Sequence, residues 1–226
     1  MEEAAGHEAS LRGSASTSGH VLFQHGTWNI QGKQADMALT FLQADACDFD
    51  VLALQEVSTS IALESGHHEL MFYPEFGYKL LVAHPKGCFR EVALAFDSES
   101  VQEISKIFVG YAHVSAVVQL RGFPIPILVS SIHLPHSKRP YEEFMDGLHS
   151  IQEDLLQRPV NVAAILSGDL NYPLLGQLGA RSHGLLSEML GLGFHHYSLN
   201  GAPTRAIGTK RLDHTLYNDM LAQHCS

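Results

Sequence analysis

Short, dense apolar runs dominate this chain, and only a few stretches space their apolar residues at the three-to-four-residue interval of a helix. "VLFQHGTWNI" predicts a first strand. "KQADMALTFLQADA" then places Met37, Ala38, Phe41 and Leu42 on one helical stripe, and "DVLALQEV" reads as a buried strand. In the middle, "YKLLVA", "REVALAFD", "EISKIFVG" and "HVSAVVQL" are strand-like runs separated by turn residues such as Pro85, Gly87, Asp97, Ser98 and Gly110, a pattern of antiparallel meanders. "IPILVSSIHLP" predicts another buried strand. From Tyr141 to Arg158 the spacing is helical, with Phe144, Leu148, Ile151, Leu155 and Leu156 on one stripe and Pro159 as the stop. "NVAAILSGDLN" returns to strand, "SHGLLSEML" to a helix ending at Gly191, and "RLDHTLYN" is the last strand signal.

Alternating helices, parallel-type strands and meanders predict an α/β fold of two packed mixed sheets with helices outside. With 226 residues, 45% of them hydrophobic, the chain can bury one sizeable core. No internal repeat or linker divides it, so residues 20–226 are expected to form one domain. Residues 1–19, "MEEAAGHEASLRGSASTSG", are small and polar and read as a disordered leader.

A formal net charge of -10 argues against a surface that holds nucleic acid everywhere by counterion release, though it leaves room for a local basic groove. Carboxylates gathered around a divalent ion also inflate such a count. Cys47, Cys88 and Cys225 are odd in number and widely spaced, which fits reduced thiols in an intracellular protein better than a disulfide framework or a zinc site. The acidic N-terminus lacks an apolar signal core, and no apolar run reaches membrane-spanning length, so no membrane partner is expected.

The candidate chemistry lies where the predicted strands end. "TWNIQG" carries Asn29, "LQEV" Glu56, "SSIHLPHS" His133, "SGDLN" Asp169 and Asn171, and "RLDH" Asp213. Each has an ordinary alternative. Glu56 reads equally as a solvated strand-end charge, His133 as a hydrogen-bonded core histidine, "GDLNYP" as a turn and Asp213 as a surface ion-pair partner of Arg211 or Lys210. Five such residues at five strand ends form a pattern that these separate alternatives do not explain.

In this order, "TWNIQG", "LQEV", "SIHLP", "GDLN" and "RLDH" resemble the endonuclease/exonuclease/phosphatase superfamily, which includes the DNase I-like nucleases. The spacing and the "HLPHS" variant look most like endonuclease domains of non-LTR retroelements. The resemblance implies a four-layer α/β/β/α sandwich and a phosphodiesterase using Mg2+ or Mn2+, with DNA as the expected partner. It also implies a place beside a reverse transcriptase in a larger polyprotein. A phosphodiester repels nucleophiles, and a hard divalent ion on oxygen ligands offsets that charge. By resemblance Glu56 is the principal metal ligand and Asn29 a neighbouring amide of the metal shell. Asp169 orients the attacking water, and Asn171 donates to a phosphate oxygen. His133 resembles a histidine that assists the leaving oxygen, as an imidazole with an ordinary pKa near ~6.5 can do around neutral pH. Asp213 resembles an orienting aspartate. Lys138, Arg139 and Arg211 are candidate phosphate contacts at the rim, with a solvated face as their plain alternative.

Two positions depart from the family pattern. Relatives carry a final Ser-Asp-His strand that "TLYNDMLAQHCS" does not contain, so the domain is expected to lack its last strand and Asp213 its histidine. Gln31 stands where repair enzymes often have an acidic residue. Two functional classes follow: a metal-dependent phosphodiesterase, or a nuclease-fold module that binds without cleaving. A phosphatase or phosphodiesterase acting on other substrates is a further reading within the enzyme class.

Overall fold

The computed structural model describes residues 23–44, 49–134, 162–171, 191, 193–197 and 213–225. The leader, the helices expected at 141–158 and in "SHGLLSEML", and Lys138, Arg139 and Arg211 lie outside the described residues.

Eleven strands and two helices are described: β1 (His25–Asn29), α1 (Ala35–Ala44), β2 (Val51–Val57), β3 (His68–Tyr73), β4 (Tyr78–Ala83), β5 (Glu91–Asp97), β6 (Val101–Val109), β7 (His113–Leu120), β8 (Ile127–His133), β9 (Ala163–Asp169), β10 (Phe194–Tyr197), β11 (Asp213–Asn218) and α2 (Asp219–Cys225). They form a five-stranded sheet, β1-β2-β5-β4-β3, and a six-stranded sheet, β10-β11-β9-β8-β7-β6. Both are mixed: β1 runs parallel to β2 and β8 parallel to β9, while the other pairs are antiparallel. The two-sheet sandwich expected from the sequence is therefore the architecture observed.

Its layering follows from apolar patterning. β2 and β5 are buried on both faces. Leu52, Leu54, Ala93 and Ala95 pack with Ala38 and Leu39 of α1 on the outer side, while Val51, Ala53, Leu94 and Phe96 join the larger core that continues into the second sheet. Burying such apolar side chains in place of water is the main stabilising term. On the second sheet α2 packs against β9 and β11. Asn218 caps that helix, its Oδ1 accepting Leu221 N at 3.1 Å and also Ala164 N at 2.9 Å. Among the described residues no helix is long and apolar enough to cross a membrane.

The register brings one end of each sheet together. Asn29 ends β1 opposite Gln55, His133 ends β8 opposite Asp169, and Asp169 ends β9 opposite Asp213, the first residue of β11.

Candidate active site

Asn29 is the joint between the two sheets at this end. Its Nδ2 donates to Glu56 Oε1 at 3.0 Å and to Asp169 Oδ2 at 3.1 Å, while its Oδ1 accepts Gln31 N at 3.0 Å. One neutral amide thus holds two carboxylates that would otherwise repel each other. His133 Nε2 lies 3.7 Å from Glu56 Oε1, a contact that becomes an ion pair when the imidazole is protonated.

Glu56 reaches this cluster through an irregularity in β2. Strand alternation would send consecutive residues to opposite faces. The register with β5 shifts between Leu54 and Val57, and Glu56 adopts φ 52°, so the chain re-aims its carboxylate at a bulge. A glutamate in this left-handed region costs roughly 1–2 kcal/mol, and such strain concentrates where function fixes a side chain. The site is further anchored by Gly32 N, which donates to Glu56 O at 2.7 Å. Gly32 has φ 76°, and a Cβ there would fall 1.2 Å from Arg90 Nη1, so the Arg90 guanidinium fills the space a side chain would take.

Asp169 is buried, 2% exposed, and its Oδ1 accepts Asn171 N at 2.8 Å. With Asn171 at φ 52° this is an Asx-type turn, so "GDLN" is both a turn and part of the cluster. The reading of "NVAAILSGDLN" as strand to its last residue is corrected accordingly, since β9 ends at Asp169. Asn171 Nδ2 donates to Leu134 O, which ties the turn to the residue after His133. Leu134 N donates to Asp169 O at 2.9 Å, His133 N to Ala112 O at 2.9 Å, and Cys88 Sγ to His133 O at 3.4 Å. Burial pushes the Cys88 thiol up to about 12, which makes it a neutral prop and no nucleophile.

Asp213 stands directly opposite Asp169 in the β9–β11 ladder. Its neighbour His214 pairs with Gly168, on the alternate face, and is buried.

Sequence reasoning missed the support behind Glu56. Gln55, fully buried, donates through Nε2 to Thr27 Oγ1 at 3.2 Å and to Ser131 Oγ at 3.1 Å, and Ser131 Oγ donates to Leu54 O at 2.8 Å. A buried glutamine immediately before the glutamate was the available signal, because buried amides demand partners.

The donor set suits a hard divalent cation. Both Asp169 oxygens and Glu56 Oε1 already accept hydrogen bonds, and the Glu56 side chain is partly exposed. Asn29 presents its N–H groups to the carboxylates, and its oxygen, which accepts Gln31 N, keeps a second lone pair. Among the described residues no group of three His, Cys, Asp or Glu forms a cage. One carboxylate completed by water and substrate oxygens is how Mg2+ is commonly held, whereas zinc takes a closed set of protein ligands.

Two mixed sheets with carboxylates, an amide and an imidazole at their shared strand ends define a phosphoester-hydrolase type of sandwich. The chain belongs to the Endonuclease/Exonuclease/phosphatase family, whose model matches residues 26–226. The endonuclease domain of TRAS1, a telomere-specific non-LTR retrotransposon, is similar with a TM-score of 0.66 at 16% identity, over 88% of this chain and 86% of that one. A 3′ phosphatase from Neisseria, NExo, bound to a product DNA hairpin, gives 0.56 at 12% identity over 89% of each chain. A mannosyl-6-phosphatase from Bacteroides thetaiotaomicron gives 0.53 at 13% identity, over 88% of this chain and 86% of that one. At these identities the likeness is one of fold. No curated protein matches the chain.

Proposed function

We propose that the chain is a Mg2+-assisted phosphodiester hydrolase of the DNA endonuclease type. The observation that carries this reading is the Asn29 amide shared between Glu56 and Asp169, with His133 Nε2 at 3.7 Å from Glu56. The retrotransposon endonuclease and the hairpin-bound phosphatase among the structural neighbours support nucleic acid over a sugar phosphate as the substrate class.

A bound Mg2+ on Glu56 would supply charge neutralisation at the phosphate. In this reading Asp169 accepts a proton from, or aligns, a water. Its burial and its two accepted hydrogen bonds hold that carboxylate in one rotamer. In this reading His133 returns a proton to the departing oxygen, and Asn171 donates to a phosphate oxygen. Lys138, Arg139 and Arg211 belong to this proposal as phosphate contacts.

Supercoiled plasmid in Mg2+ is the test: nicking by the native chain that Asp169→Ala and Glu56→Ala both abolish supports the reading. Nicking that survives Asp169→Ala overturns it. A second reading, a module that binds without cleaving, draws on the β11 register, in which Asp213 stands opposite Asp169 and His214 opposite Gly168. Plasmid binding without nicking would select it.

A further inference from the structure

Phe89 is the most exposed large apolar residue described, at 93%, and it sits on the loop between β4 and β5 beside residues that are tied down. Gly87 N donates to Tyr111 O at 2.6 Å, and a Cβ on Gly87 would strike the Tyr111 ring at 2.2 Å. Cys88 N donates to Pro85 O at 3.1 Å and the Cys88 side chain is buried against His133 O. On its other side, Arg90 lays its guanidinium on Gly32, the residue whose N–H holds Glu56 O. Single exposed apolar residues are ordinary on protein surfaces. Here the flanking residues touch the candidate site from two directions, so the ring is held at its lip.

Against a net -10, Phe89 is followed by Arg90, and Arg90 lies against the turn that carries exposed Lys33. The nearby carboxylate of Glu91 is already 3.9 Å from His84 Nδ1. A flat aromatic face beside two cations is the combination that holds single-stranded nucleic acid, with the ring stacking on a base and the cations meeting phosphates.

We propose that Phe89 is a stacking platform for an unpaired nucleobase of the substrate strand, with Arg90 and Lys33 contacting the adjoining phosphates. The inference rests on the reading of the chain as a nucleic-acid hydrolase and narrows its substrate to strands with an unstacked base beside the scissile bond. A paired base in a duplex keeps its faces covered by neighbours and offers the ring nothing to stack on.

Fluorescence anisotropy with an oligothymidylate and with a blunt hairpin duplex, both in EDTA so that cleavage cannot intervene, decides it. Phe89→Ala should weaken oligothymidylate binding by roughly 5- to 150-fold, the range for one stacked base, and leave hairpin binding unchanged. Phe89→Trp should retain the affinity, and its indole emission should be quenched by the oligothymidylate. Arg90→Ala should reduce the salt dependence of binding by about 0.7 in log–log slope, one single-strand phosphate contact. Wild-type affinity in Phe89→Ala, equal losses on both probes, or no oligothymidylate binding at all would overturn the proposal. Because plasmid nicking and its loss in Asp169→Ala are measured separately, a chain that nicks while Phe89→Ala binds normally sinks this inference alone. A chain that neither nicks nor binds sinks the hydrolase reading with it.

Discussion

Gln55 and Ser131 join the two sheets of the sandwich, Gln55 Nε2 donating to Ser131 Oγ at 3.1 Å in a fully buried position one residue before Glu56. Because among the described residues Thr27 Oγ1 bonds only this amide, at 3.2 and 3.3 Å, the glutamine completes a polar bridge from β1 through β2 to β8. Gln55→Leu would strand the buried Thr27 hydroxyl and is expected to cost about 1–3 kcal/mol in urea unfolding. Ser131→Ala added to it should cost less than the sum of the two single changes, since both remove the same bond. Strict additivity would show that the bridge contributes nothing.

Glu56 holds a left-handed backbone at the residue proposed to take the metal. Glu56→Gly removes the left-handed penalty, so unfolding stability is expected to hold or to rise by up to about 1 kcal/mol, although the bond to Asn29 is lost. Titration calorimetry of the same variant should show no Mg2+ heat. Retained Mg2+ binding would remove Glu56 from the metal site.

Two buried histidines set an acid limit on the fold. Burial lowers the pKa of His25 to about 3 and of His113 to about 4, and among the described residues neither ring nitrogen of His25 is hydrogen-bonded. In the unfolded chain both take a proton near ~6.5, while the folded chain stays neutral down to about 4. The unfolded state therefore binds more protons between these values. Stability is fully present above ~6.5 and falls with decreasing pH, by up to about 2.7 kcal/mol per unit for the pair. His25→Leu should roughly halve that slope in urea midpoints measured across the window. An unchanged slope would show that His25 is protonated in the fold.

The strands that position the site were legible because they are dense apolar runs, and the residues at their ends stood out as polar interruptions. β3 was not, since as an edge strand it buries little and "HELMFY" has no apolar alternation. β10 is four residues long, "FHHY", too short for a periodicity. α2 was hidden in a stretch that reads as a frayed end, and only the Asn218 cap reveals it. Within the site, residue types were readable but geometry was not. The sequence shows Gln55 and Glu56 as neighbours that should face opposite ways, and only the bulge at φ 52° lets one bridge the sheets while the other enters the cleft.

Gly168 is the backbone counterpart of that bulge on the other sheet. It precedes Asp169, adopts φ 151°, and a Cβ built on it would lie 1.9 Å from Ile132 O on the neighbouring strand β8. The atom in the way belongs to the backbone of a paired strand and cannot swing aside, so relief requires β8 and β9 to separate just before His133 and Asp169. Gly168→Ala is therefore expected to destabilise the protein by at least about 2–3 kcal/mol, through strained backbone and overpacking together. Any folded fraction should lose Mg2+-dependent nicking because the Asn29 to Asp169 bond no longer closes. Gly191→Ala is the control: among the described residues nothing lies within 4 Å of its Cβ position, so stability and nicking should be unchanged or slightly improved. Urea midpoints of the two variants check the pair. A Gly168→Ala protein as stable as Gly191→Ala would show that the β8–β9 contact relaxes freely and that the glycine does not hold Asp169 in place.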